Sequence, residues 1–461
     1  MAIAVGLLAA SGQIQPGLAD GKEFYGELGL DGRLLGCKGL LSAVVKATRE
    51  ARPIVLPNAS SQALPCVSSS QLHPLGTLAD LLQTPLPTAS TTALNGQSSN
   101  GQSSNGQSSH RQSSHRQSSH RQSSHRQSSH RQSSHRQHGE PSANNRATKP
   151  QQLSEQLMVQ PMMTRTLSIA AAGGHHLLLS GEPGTGKTLS ASTLPLLLPD
   201  LTDDERLQIQ IIQDIAGLTP SDERPFRAPH HSASLAGLIG GTSRALPGEI
   251  TLAHCGVLFL DELPEFKRDV LETLRQPLES GEVTVVRAGI THSYPARFQL
   301  IAAMNPCPCG YLTSTTTNCR CSATAIQRYQ SRLSGPMMDR FDLHATLNRV
   351  DTALILKKHE ERLDTGALQT KTAQARSQQL HRQGVLNAAL PGSALEALCQ
   401  LDDGDLDWLA KAANRLKLSA RTLHRSMRVA RTIADLSGSA RVGRDDLAEA
   451  LSFRPANRGG A

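Results

Sequence analysis

Two stretches of the chain are apolar at every position, and each ends in residues with chemistry. Leu177-Leu178-Leu179 and Val257-Leu258-Phe259-Leu260 are short and uniformly apolar, which predicts strands buried on both faces, as in a parallel sheet. After the first, Leu189 onward reads as a helix. From about 155 to 345 apolar strands alternate with helices as in an α/β nucleotide-binding domain. Between Gly281 and His292 the pattern alternates as a hairpin does. From about 346 onward the periodicity is helical, with Arg421, Arg425 and Arg428 on one helix face at i, i+4 and i+7. Residues 1 to about 90 mix helix-like and strand-like segments, and Glu27 to Leu34 suggests a hairpin with an Asp31-Gly32 turn.

Residues 95 to 137 break the alternation with pentads, first Asn-Gly-Gln-Ser-Ser from Asn95 and then His-Arg-Gln-Ser-Ser from His110. A period of five matches neither 3.6 nor 2, and no residue of the array is apolar. It is expected to be disordered and to mark a domain boundary. Its six His-Arg steps can bind divalent metal or nucleic-acid phosphate, or can be a solvated tether alone. Hydrophobic residues make up 38% of the 461 and aromatics 3%, so core material is concentrated elsewhere. The formal charge is +8, yet His110 to His138 alone holds six arginines and no acid. The sequence pI of about 9.2 therefore says nothing about a basic globular surface. No run reaches the roughly 18 apolar residues of a membrane span. The apolar opening Met1 to Leu8 lacks the cationic flank of a signal peptide, so a soluble cytoplasmic protein is expected.

The residues that end the first strand are Gly181-Glu182-Pro183-Gly184-Thr185-Gly186-Lys187-Thr188, the phosphate-loop pattern G-x-x-x-x-G-K-[ST]. Glycines let consecutive N–H groups curl around a β-phosphate, Lys187 reaches the β/γ-phosphates, and the Thr188 hydroxyl takes a Mg²⁺ position. ATP and Mg²⁺ are the expected ligands. The second strand delivers Asp261 and Glu262. Asp261 can hold Mg²⁺ through water, and Glu262 can orient and deprotonate the attacking water.

Four of the eight cysteines fall in Cys307-Pro308-Cys309 and Cys319-Arg320-Cys321. Two short pairs at the ends of a small loop can supply four thiolates to a structural Zn²⁺, with reduced free thiols as the alternative. Cys37, Cys66, Cys255 and Cys399 are scattered, and disulfides are not expected.

Four stretches go beyond the generic ATPase motifs: Arg224 to Ser232 (RPFRAPHHS), Pro247 to His254 (PGEITLAH), Met304 to Gly310 (MNPCPCG) and Ser334 to Asp342 (SGPMMDRFD). With them, residues 155 to 455 resemble the ComM/YifB family of magnesium-chelatase-related AAA+ ATPases. The resemblance implies an AAA+ core over 151–348 and a helical lid over 349–461. Asn305, following Leu300-Ile301-Ala302-Ala303, takes the place of the polar sensor that orients the lytic water. Arg340 takes that of the arginine finger inserted by a neighbouring subunit, with Arg332 as a second candidate. Arg421 takes that of the second sensor, and the assembly implied is a hexameric ring.

Phe24 to Leu34 resembles the late part of a Lon-protease-like domain of the ribosomal S5 domain 2-like α+β type. This implies a truncated domain over 1–92, followed by the repeat linker over 93–150. The place where such a domain carries its lysine falls on Leu41, so proteolysis is not expected. Two functions stay open. One is a DNA-moving ring of the kind that drives branch migration during recombination of incoming DNA, with the hairpin in the pore and Arg287 and His292 near its tip touching phosphates. The other is ATP-driven remodelling of a protein partner, as in magnesium chelatase.

Overall fold

The computed structural model describes residues 1–15, 17–61, 71–82, 86, 161–241, 245–287, 290–349 and 364–454. The pentad array lies outside them. In the N-terminal part, strands β1 (Glu23–Phe24), β4 (Ile54–Pro57) and β5 (Leu72–Leu75) form a parallel sheet in the order β1-β4-β5. The hairpin expected there is formed by β2 (Glu27–Leu28) and β3 (Leu34–Leu35), with Gly32 at φ 80° in its turn.

The helix Leu40–Arg49 buries Leu40, Leu41, Val44 and Ala47, one apolar stripe at helical spacing. No side chain of its own caps its start. The cap comes from afar: Asp214 Oδ2 accepts the Leu41 N–H at 2.8 Å. Asp214 belongs to the helix Asp203–Ala216, which begins with a reciprocal Thr202/Glu205 capping box and ends at Gly217 with φ 75°.

The central sheet holds β6 (Leu177–Gly181), β7 (Phe226–Arg227), β8 (Val257–Leu260), β11 (Gln299–Met304) and β12 (Leu343–Leu347), all parallel, in the order β12-β6-β11-β8-β7. Side chains alternate between its faces. Leu177, Leu179, Val257, Phe259, Ile301 and Ala303 enter one apolar cluster, shared with Val429, Ile433, Leu447 and Phe453 of the C-terminal helices. Leu178, Leu258, Leu260, Leu300 and Ala302 enter the other, with Phe266, Leu271 and Phe341. This two-sided burial is why these strands read as unbroken apolar runs. Between β8 and β11 the chain leaves the sheet as an antiparallel ribbon of β9 (Glu282–Arg287) and β10 (Ile290–Pro295).

The C-terminal helices include Thr365–Gln383, Asp403–Arg415, Ala420–Leu436 and Arg444–Ser452. Within them Asp435, with 1% of its side chain exposed, accepts from Arg382 at 2.7 and 2.9 Å and pairs with the fully buried Arg431 at 3.0 Å. His175 ties this layer to the sheet. Its Nε2 lies 2.8 Å from Thr432 Oγ1 and its Nδ1 3.2 Å from Asp342 Oδ2.

Candidate nucleotide and metal sites

In a parallel sheet, loops leaving the C-terminal edges of neighbouring strands share one crevice. Because β11 lies between β6 and β8, the phosphate loop, Asn305 and Asp261 converge there. Gly184 and Gly186 take φ 78° and 84°, the left-handed turn that starts the helix Lys187–Leu197. Lys187 Nζ donates to the carbonyls of Gly181 and Glu182, both at 2.8 Å, and to Asn305 Oδ1 at 3.0 Å. Burial pushes its pKa below the ordinary lysine value, against the acids Asp261, Glu182 and Glu262, which favour its proton. Thr188 Oγ1 donates to Asp261 Oδ2 at 2.7 Å. A hydroxyl and a carboxylate facing each other are hard oxygen donors, a set that suits Mg²⁺. Burial pushes the Tyr329 hydroxyl up to about 12, against the nearby Asn305 backbone, which favours its ionised form.

Glu262 stands one residue beyond this cluster with φ 52° and ψ 46°, the left-handed region, unusual for a residue with a side chain. Its N–H donates to Asp261 Oδ1 at 2.9 Å. Its carboxylate turns to His231, with Oε2 3.1 Å from Nδ1. Sequence reasoning quoted His231 within a motif and gave it no role. The adjacent Arg227 is structural, gripping Glu249 through two bonds of 2.7 and 2.8 Å.

Arg340 and Arg332 have acidic partners outside the phosphate loop. Arg340 pairs with Glu279 and is largely buried. Arg332 donates to Glu265 Oε2 at 2.7 Å. Arg421 is exposed in the first turn of Ala420–Leu436, and its guanidinium makes no hydrogen bond or ion pair with another described residue. Its one-face companions differ. Arg425 is 5% exposed and lies 3.5 Å from Asp339 Oδ1, and Arg428 donates to the Leu390 carbonyl at 2.8 Å.

The four cysteines meet. Cys307, Cys309 and Cys319 have Sγ separations of 3.4, 3.6 and 3.6 Å, and all four sulfurs lie within 4.8 Å of one another. A tetrahedron with Zn–S near 2.3 Å has edges of about 3.8 Å, so the set fits Zn²⁺. Backbone N–H groups of Tyr311 and Arg320 hold the Cys309 thiol down at about 6, while burial and the neighbouring sulfurs push Cys319 up to about 12 and Cys321 upward, so without a metal the cluster favours one thiolate that its neighbours' S–H groups can share. This loop leans on the phosphate loop. Gly310, at φ 84°, approaches Pro183 so closely that a Cβ would stand 2.5 Å from its Cδ.

The chain matches the family model of magnesium chelatase subunit ChlI over residues 154–355, that subunit's C-terminal model over 362–454, and a further ChlI model over 1–60. It is 38% identical to competence protein ComM of Haemophilus influenzae over 98% of this chain and 81% of that protein. The identity to the uncharacterized protein YifB of Escherichia coli is 36%, over 99% and 81%. The chain belongs to the ComM/YifB family of magnesium-chelatase-related AAA+ ATPases. A magnesium-chelatase 38 kDa subunit of Rhodobacter capsulatus is 27% identical over 36% of this chain and 54% of its own length.

Membership fixes the coarse chemistry as that of an ATPase using ATP and Mg²⁺. The ComM/YifB-type stretches also find physical places. Pro247 bridges to Gly240, and Ala245 O accepts the Tyr294 hydroxyl at 2.9 Å, so the segment after β7 is fastened to the β9–β10 ribbon. Residues 288–289 at the ribbon's end and the Arg287 side chain lie outside the description. His292 is exposed and stacks on Tyr294 at 6.2 Å. Among the described residues no helix is long and apolar enough to cross a membrane.

Proposed function

We propose that the chain is a cytoplasmic, hexameric ring ATPase that acts on DNA as a branch-migration helicase. The observation that carries this reading is the position of the β9–β10 ribbon. It leaves the fold after the strand that delivers Asp261 and Glu262, and returns into the strand that ends at Asn305. A strand of DNA gripped through Arg287 and His292 is thereby joined to the hydrolytic residues by both arms of one ribbon.

Gly181 to Thr188 cradle the triphosphate, with Lys187 exchanging its carbonyl partners for phosphate oxygens. Thr188 and Asp261 hold Mg²⁺, which neutralises phosphate charge when bound. Glu262 takes the proton of the attacking water and Asn305 orients that water. Arg340 acts across the subunit boundary as the arginine finger, and Arg421 acts as the second sensor on the helical lid. Cys307, Cys309, Cys319 and Cys321 hold a structural Zn²⁺. The domain partition is a Lon-protease-like segment over 1–92, the repeat linker over 93–150, the ATPase core over 151–348 and the helical lid over 349–461.

The test is unwinding of a Holliday junction or fork by the purified protein with ATP. Arg287→Ala should weaken DNA binding without sequence preference and lower the salt slope by roughly one contact per subunit. A second reading, remodelling of a protein partner, draws on the likeness to the magnesium-chelatase subunit. It predicts no unwinding and no stimulation of ATP turnover by DNA. Deleting residues 95 to 137 is the control, since a basic array can bind DNA by itself.

A further inference from the structure

Two contacts tie the cysteine loop to the nucleotide crevice, and each stands beside a sulfur. Asn305, whose Oδ1 accepts from Lys187 Nζ at 3.0 Å, lies two positions before the fully buried Cys307. Gly310, which meets Pro183 of the phosphate loop, directly follows Cys309. A Cβ at Gly310 would stand 2.5 Å from Pro183 Cδ and 2.7 Å from its Cγ, so the two loops touch with no room for one more methyl group. Glycine takes φ 84° here without strain, and its N–H donates to the Cys307 carbonyl at 3.0 Å. The contact with Pro183 is therefore part of the turn that presents Cys307 and Cys309 to a metal.

Residues 311–320, which join the two cysteine pairs, form neither helix nor strand. The loop is closed by its sulfurs, all four within 4.8 Å of one another. At its start Gln330 Nε2 donates to the Pro306 carbonyl at 3.1 Å. Four metal–thiolate bonds would fix every corner of this loop at once, which weak contacts between thiols do not.

We propose that the cysteine loop is a metal-dependent brace of the phosphate loop: with Zn²⁺ bound, Gly310 holds Pro183, and with it the turn through Gly184 and Gly186, in the shape that receives ATP. Gly310 is the positioning residue of this brace and acts through Pro183. The metal dependence rests on the zinc reading above. The contact rests on the geometry alone, so the two are tested separately.

ATP affinity of the full chain is measured by titration with a fluorescent ATP analogue in excess Mg²⁺, with metal analysis of the same samples. Stripping zinc with a chelator and returning the protein to Mg²⁺ should raise the Kd by about tenfold, and zinc added back should restore it. An unchanged Kd after the zinc has left overturns the metal dependence. Protein that never held zinc refutes the zinc reading and the metal dependence with it, while the Gly310 variants still judge the contact.

Gly310→Ala, still holding zinc, should raise the Kd by about tenfold, the scale of one overpacked methyl group. Adding Pro183→Ala removes the two ring atoms that the new methyl would strike and leaves the backbone nitrogen, at 3.7 Å, as an ordinary contact. Measured against Pro183→Ala alone, the effect of Gly310→Ala should then shrink to within about twofold. Strain confined to the metal turn would persist in the double variant, so an absence of rescue overturns the brace. If Gly310→Ala loses its zinc or does not fold, the stripped and refilled wild type decides.

Discussion

Arg340 is ion-paired with Glu279 of its own chain, and only 12% of its side chain is exposed. A guanidinium held this way meets a neighbouring subunit's nucleotide only after the pair opens. Arg340→Ala should leave nucleotide affinity nearly intact and lower ATP turnover by about 10³-fold, since a finger acts on the transition state. Mixing it with Lys187→Ala protein should restore part of the hydrolysis at mixed interfaces. No rescue at any ratio would place Arg340 outside the reaction or within its own subunit's site. Glu279→Gln should raise turnover by at most about fivefold, because a pair this exposed on one side contributes about 0–1 kcal/mol.

Lys187 and Glu262 should fail at different steps. Lys187→Ala is expected to abolish ATP binding, read by fluorescent-nucleotide titration. Glu262→Gln should bind ATP and turn it over at least roughly 10²-fold more slowly, as loss of a general base implies. Normal hydrolysis by Glu262→Gln would remove Glu262 from the role of base.

Metal analysis of protein purified without chelator should find about one zinc per chain. Cys309→Ser and Cys319→Ser should each lose it. Protein that carries no metal, with all four thiols titratable, would leave the cluster as free cysteines.

Asp435→Ala should be among the most damaging substitutions outside the nucleotide crevice. It strands the fully buried Arg431 and removes both bonds from Arg382. Breaking a buried pair from one side costs about 3–5 kcal/mol. The midpoint of denaturant unfolding should fall accordingly, and a shift within error would show that water reaches Arg431.

The sheet was legible because burial on both faces leaves a mark that needs no partner information: Leu177 to Leu179 and Val257 to Leu260 are apolar at every step. The ribbon was legible from its alternation, and its partners are in register from Glu282–Pro295 to Arg287–Ile290. The role of Asn305 came from a resemblance, and its contact with Lys187 was not legible, since nothing local says that β11 is inserted between β6 and β8. His231 carried no signal of its own. Its meaning comes from a contact with a residue 31 positions away, and a histidine in a loop looks the same with or without that partner. Arg340 posed a related difficulty, because the sequence offers a cation and does not say which acid holds it at rest.

The cap that Asp214 places on the helix of Leu41 spans 173 residues of chain. Helix Asp203–Ala216 follows closely on the phosphate-loop helix Lys187–Leu197, so the Leu40–Arg49 helix is tied to the element next after the one that starts at Lys187. Cutting the chain between the two parts would leave one helix start without its acceptor and Asp214 without its donor. Hydrogen exchange at the Leu41 amide would therefore report whether the N-terminal part stays docked on the ATPase core.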